Sequence, residues 1–262
     1  MSEVLLRAQG VSKDFGGLRA VQDLDFQIYR GEVFSIIGPN GSGKTTTFNL
    51  VTGFLPVTGG EISFKEDRIT GLKPFQVCRK GIARTFQLTT LFDRNTVLEN
   101  LIIGQRATRE SGILSCIFGS PGARQREGEA LEKAHELAEF IGLARQKMIP
   151  AGALPQGSQK QLSIGLALAS APELLLLDEP VGGVNMEEIG LLIDLIIRIR
   201  KSGITICLIE HKMSVVMNIS DRVMVLSYGE KIAEGSPAEV SQNEKVIKSY
   251  LGERYAASRR QG

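Results

Sequence analysis

The sequence predicts an α/β protein in which a mixed sheet carries one inserted block of helices. Three observations predict it. An apolar run at 33–37 opens into a glycine-rich loop and then helical spacing. A second apolar run, 174–178, ends in acids, and the stretch between, roughly 88–168, is rich in helix-period patterns.

Taken in order, apolar segments at 4–8, 24–28 and 33–37 read as strands, bounded by Gly16-Gly17 and Gly31. The pattern then becomes strand, loop at 38–45, and a helix through Leu50 to about Gly53. The helical middle is interrupted between Ser111 and Gly122 by Gly, Ser and Pro, which mark a loop or a helix break. Alternation resumes with a strand at 174–178, a helix at 186–201, and strands at 204–209 and 222–226. A hairpin-like pair, 223–227 and 231–233 across Tyr228-Gly229, precedes a polar helix ending near Leu251, after which the chain is expected to fray.

At 262 residues, 42% hydrophobic and 23% charged, the chain can bury a substantial core, and no long stretch is disordered by default. A formal net charge of +2, with a short basic tail at Arg254, Arg259 and Arg260, does not indicate nucleic-acid binding. Cys78, Cys116 and Cys207 lie in no Cys-x-x-Cys spacing, which argues against a disulfide framework or a zinc site and fits a reducing cytosol. The start, Met1 to Arg7, does not read as a signal peptide. Apolar runs such as 164–171 stop at Pro172, short of the roughly 20 residues of a membrane-spanning helix, so action at a membrane calls for another chain as anchor.

Gly38-Pro39-Asn40-Gly41-Ser42-Gly43-Lys44-Thr45 fits Gly-x-x-x-x-Gly-Lys-Ser/Thr, a loop whose backbone N–H groups wrap a nucleotide's phosphates. The glycines let the backbone turn and approach, Lys44 brings charge to the β/γ oxygens, Thr45 can ligate Mg²⁺, and the following helix presents its positive end. The run Leu174-Leu175-Leu176-Leu177-Asp178-Glu179 reads as a buried parallel strand emerging at its carboxyl end, where ligands bind. There Asp178 can hold Mg²⁺ through its water shell and Glu179 can act as general base, although an acid pair could also merely cap the next turn. His211 follows strand 204–209 at the same kind of end, where an imidazole could reach a γ-phosphate or be an ordinary satisfied residue. Gln87, closing Arg84-Thr85-Phe86-Gln87, carries no signal in isolation.

The order of these pieces resembles the ATP-binding subunit of ABC transporters across nearly the whole chain. The resemblance implies a P-loop NTPase core with a mixed sheet, an N-terminal antiparallel β subdomain and an inserted helical subdomain. The implied division is core at 1–87 and 169–240, helical subdomain at 88–168, and C-terminal helix and tail at 241–262, all within one ATPase domain. It makes Phe15 the adenine-stacking aromatic and adds Thr46 to the loop residues that bind ATP. Gln87 becomes the Q-loop glutamine that senses γ-phosphate and Mg²⁺, and His211 the switch histidine; Lys44, Gln87, Glu179 and His211 form the catalytic set. Gly81-Ile82-Ala83-Arg84-Thr85-Phe86-Gln87, Thr96-Val97-Leu98-Glu99-Asn100-Leu101 and Ile209-Glu210-His211 look like the branched-chain amino acid importer branch, to which urea and aromatic-acid importers are similar.

Partners implied are transmembrane permease subunits, a second ATP-binding subunit, and indirectly a periplasmic or extracellular solute-binding protein. The place implied is the cytoplasmic face of the inner or plasma membrane, as a peripheral protein. The family's signature, Leu-Ser-Gly-Gly-Gln in general form, aligns with Leu154-Pro155-Gln156-Gly157-Ser158, and Asn185 replaces the usual aspartate of the D-loop. Pro155 has neither a hydroxyl nor an N–H to offer the opposite subunit's γ-phosphate, and Leu166 stands where an Arg is common. These departures point to a heterodimer whose partner has an intact signature, with a homodimer as the alternative. A binding-only regulatory subunit and a non-transport ABC ATPase are the remaining readings.

Overall fold

A computed structural model describes residues 3–85, 91–106 and 121–249. A four-stranded antiparallel sheet, in the order β2-β1-β4-β5, is built from β1 (Val4–Phe15), β2 (Leu18–Tyr29), β4 (Gly59–Phe64) and β5 (Asp67–Arg68). A six-stranded sheet, in the order β10-β9-β3-β8-β7-β6, contains β3 (Val33–Ile37), β6 (Ile82–Arg84), β7 (Leu174–Asp178), β8 (Thr205–Ile209), β9 (Arg222–Ser227) and β10 (Glu230–Gly235). Its strands run parallel except for β10, which turns back on β9. The mixed sheet and antiparallel N-terminal sheet are those the resemblance implies.

The central strands are apolar because both faces are covered. On β7, Leu175 and Leu177 join a core with the helices α3 (Val97–Arg106), α4 (Pro121–Phe140), α5 (Gln156–Leu168) and α6 (Met186–Lys201), whereas Leu174 and Leu176 join a core with α1 (Lys44–Val51) and the antiparallel sheet. Each of the four is essentially inaccessible to solvent, and burying one such side chain is worth about 2 kcal/mol. Helix α6 starts on a capping box, Asn185 accepting from the Glu188 N–H at 2.9 Å, and carries acids in its first turn and bases in its last, as the helix dipole favours.

Several boundaries differ from the sequence reading. Strand β2 spans Leu18–Tyr29 rather than 24–28, because pairing along β1 holds its polar first half extended. The polar C-terminal helix is divided: after α2 (Pro74–Arg79) and α7 (Met213–Ile219), α8 (Pro237–Gln242) ends at Asn243, which is extended, and residues 244–249 resume the helix. The expected break at 111–122 falls mostly outside the described residues, as do Leu251 and the basic tail. Among the described residues no helix is long and apolar enough to cross a membrane.

Candidate functional site

The loop at 38–45 leaves the carboxyl end of the fully buried β3 and enters α1. Gly43, the cap residue, has φ 102° and offers no side chain to the first amides of α1. A Cβ on Gly38 would lie 2.1 Å from Leu226 O, and one on Gly43 2.6 Å from Ala20 O, so the backbone wraps too tightly here for any other residue. Lys44 is buried, and its Nζ donates to the carbonyls of Gly38 and Pro39 at 2.7 and 2.8 Å. Asn40 and Gly41 form the exposed tip, Thr45 is exposed and Thr46 half-buried on the first turn of α1, and the Ser42 hydroxyl is buried with no hydrogen-bond partner.

Strands β3, β8 and β7 lie side by side in register, Ile36 opposite Ile209 and Ile209 opposite Asp178. Their carboxyl ends therefore bring the loop, His211, Asp178 and Glu179 to one edge, with about 5 Å between neighbouring strands. Asp178 is buried; its Oδ2 accepts from Arg84 Nη2 at 2.8 Å and its Oδ1 has no partner. Glu179 sits at φ 49°, an unusual conformation for a residue with a Cβ, held by its N–H to Ile209 O at 2.9 Å and by Gly182 N–H to its own carbonyl at 3.1 Å. This turn aims its carboxylate at His211, whose Nε2 donates to Oε1 at 2.8 Å.

Two lysines brace the same turn. Lys160 Nζ, from α5, donates to Glu179 O at 3.4 Å, and Lys212 Nζ donates to Val181 O at 3.3 Å. Burial pulls the Lys160 ammonium below its usual pKa, against the opposing pull of Glu179, Glu210 and Asp178. Glu210, also buried, fixes the His211 turn by accepting from the N–H groups of His211 and Lys212 at 2.9 and 3.0 Å.

An orphaned carboxylate oxygen in an acidic, buried corner suits a hard divalent cation. Among the described residues no three or more His, Cys, Asp or Glu side chains are placed to hold a metal ion by themselves. A cation keeping several waters and taking one or two protein oxygens fits these residues, which is the habit of Mg²⁺.

Phe15 ends β1 with 46% of its surface exposed and Lys13 Nζ 5.1 Å from its ring centroid. Gln87 lies outside the described residues. At the signature position Pro155 caps α5 without any side-chain hydrogen bond, and the Gly157 N–H donates to Glu188 Oε1 at 3.1 Å. An apolar groove beside these elements is lined by Phe54, Phe75, Val77, Ile82 and Leu166, with both phenylalanines exposed. Sequence reasoning assigned no role to Arg84, Lys160, Glu188 or Lys212. The available signal was strongest for Arg84, a charge inside a three-residue strand otherwise made of Ile and Ala.

Residues 21–182 match the family model described as ABC transporter, and residues 230–256 one described as branched-chain amino acid ATP-binding cassette transporter. The chain is 42% identical over 254 residues to the high-affinity branched-chain amino acid transport ATP-binding protein LivG of Escherichia coli (strain K12), covering 97% of this chain and 100% of that one. It is 40% identical to the corresponding protein BraF of Pseudomonas aeruginosa, with the same coverage. Among solved structures it resembles the ADP conformation of an ATP-binding cassette of an ABC transporter, with TM-score 0.83, 34% identity, and coverage of 95% of this chain and 99% of that one.

Proposed function

The chain belongs to the ABC transporter family, and we propose that it is the ATP-hydrolysing subunit of an importer for branched-chain amino acids, with its own phosphate loop as the active half of an asymmetric pair. The observation that carries the hydrolytic reading is the meeting of Glu179 and His211 at 2.8 Å on the strand ends that also bear the phosphate loop. A subunit that only bound ATP would have no use for a carboxylate held this way.

Phe15 offers an aromatic face for the adenine, and the amides at the start of α1 with Lys44 take the β/γ phosphates, Lys44 giving up its bonds to Gly38 and Pro39 as the anion arrives. Thr45, Asp178 and Gln87 would hold Mg²⁺, which would supply charge neutralisation on the phosphate oxygens. Glu179 accepts the proton of the attacking water, while the His211 N–H holds its carboxylate in orientation. Lys160 and Lys212 hold the strained turn so that the carboxylate is in place before substrate enters.

The apolar groove at Phe54, Phe75 and Leu166 is the surface offered to a transmembrane permease subunit at the cytoplasmic face, and solute choice belongs to that subunit and the solute-binding protein. The partner ATP-binding subunit's phosphate loop faces Pro155 and hydrolyses poorly, because Pro155 offers neither an N–H nor a hydroxyl and the Gly157 N–H is already engaged.

The test is ATPase activity of the chain alone and mixed with an ATP-binding subunit carrying an intact signature. The expected result is near-silence alone and Glu179-dependent turnover in the mixture, raised further by Pro155→Ser with Gln156→Gly. Full turnover alone would make a homodimer the simpler arrangement, and silence of the mixture assembled with its membrane subunits would leave the chain a binding-only subunit.

A further inference from the structure

We propose that Arg84 is a positioning residue for the metal-binding carboxylate: it pins one oxygen of Asp178 so that the other faces the cation. The inference rests on the reading of Asp178 as the Mg²⁺ residue. The ion pair is almost wholly buried, the side chains of Arg84 and Asp178 being 5% and 1% exposed. A buried pair of this kind adds little stability over an apolar replacement, so its value lies in geometry.

The guanidinium is tied on several sides. Nη1 donates to Asn49 Oδ1 at 2.6 Å, Nη2 to Asp178 Oδ2 at 2.8 Å, and the group lies 5.4 Å from the centroid of the Phe48 ring. Asn49 and Phe48 belong to α1, the helix that carries Lys44 and Thr45. The neighbouring residue holds the same aspartate from its other end, Thr85 Oγ1 accepting from the Asp178 N–H at 3.3 Å. Arg84-Thr85 thus grips Asp178 by main chain and side chain and locks it to the phosphate-binding helix. Oδ1 is left buried and without a partner, which is the state of an oxygen prepared for a ligand that comes with the nucleotide. Only a planar fork reaches both Asn49 and Asp178 while stacking on Phe48, so lysine would keep the charge and lose the geometry.

The experiment measures ATP affinity with Mg²⁺ and with EDTA, and Mn²⁺ binding by electron paramagnetic resonance, in Arg84→Lys, Asn49→Ala and Asp178→Asn. In Arg84→Lys, affinity in EDTA should stay within about twofold of the parent, while the gain given by Mg²⁺, and Mn²⁺ affinity, should fall about tenfold, as for other residues that orient a metal ligand. Asn49→Ala, which loosens one anchor and keeps the ion pair, should show a smaller fall of the same kind and serves if Arg84→Lys does not fold. Equal losses with and without Mg²⁺ would make Arg84 a structural support of α1 and overturn the proposal. Full metal affinity in Arg84→Lys, with loss in Asp178→Asn, would overturn it while sparing the reading of Asp178. Full metal affinity in Asp178→Asn would sink that reading and this proposal together.

Discussion

The strand ends of β3, β7 and β8 and the start of α5, the two regions that face an anion in the proposed function, are built in opposite ways. At the strand ends, polar groups are left open: Gly43 puts no side chain on the start of α1, Asp178 Oδ1 and Ser42 Oγ have no partner, and a strained Glu179 is braced by neighbours. At the start of α5 the donor is closed, because Pro155 has no N–H and a carboxylate from α6 already holds the Gly157 amide. The difference teaches that a helix start becomes an anion site only where its amides are spared by the protein's own side chains.

The largest expected effect breaks the open region chemically. Glu179→Gln should lower kcat about 10³-fold in the mixed pair while ATP affinity is preserved, since the amide keeps the hydrogen bond to His211 but cannot take a proton. Steady-state turnover beside nucleotide binding on the same preparation checks this, and a loss under tenfold would remove Glu179 from the role of base. Gly38→Ala breaks the same region sterically. The added carbon meets Leu226 O at 2.1 Å, so thermal unfolding should show a loss of about 3 kcal/mol or more together with loss of ATP binding.

His211→Ala comes next. Glu179 would keep its backbone restraints but lose its orienting N–H, and kcat should fall roughly 10²-fold with little change in ATP affinity. An equal fall in affinity would assign His211 to binding instead. Lys160→Met tests the brace: it removes one bond to the Glu179 carbonyl, which keeps its bond from Gly182, so kcat should fall only several-fold.

The contrast between the regions also explains what was legible in the sequence. The open region was flagged by the sequence, because phosphate binding demands glycines and a lysine at fixed spacing in one short segment, and a buried strand ending in acids is a local pattern. The mixed sheet was legible for the same reason, its strands being short apolar runs bounded by turns. Arg84, Lys160 and Glu188 were not assigned, since each acts on a residue distant in sequence and chain order does not reveal which charge will be buried against which. Pro155 was noticed as an absence, but the closure of Gly157 by Glu188 depends on how α6 packs on α5.

The smallest effect sharpens the comparison most. Glu188→Gln keeps the reach of the side chain, but the carboxylate accepts from Gly157 with Oε1 and from Asn185 with Oε2, and an amide has one oxygen for the two N–H groups. The charge and one of the two acceptors are removed. If the start of α5 is closed to phosphate partly by that carboxylate, turnover at the partner's phosphate loop should rise about threefold, in line with the modest worth of one partly exposed charge. The gain should shrink as salt is added, while the melting temperature stays within about a degree or two. The readout is the mixed pair with the present chain's own Glu179 changed to Gln, so that only the partner's site turns over. An unchanged rate there would mean that Pro155 alone closes the region, and that Glu188 is no more than the cap of its own helix.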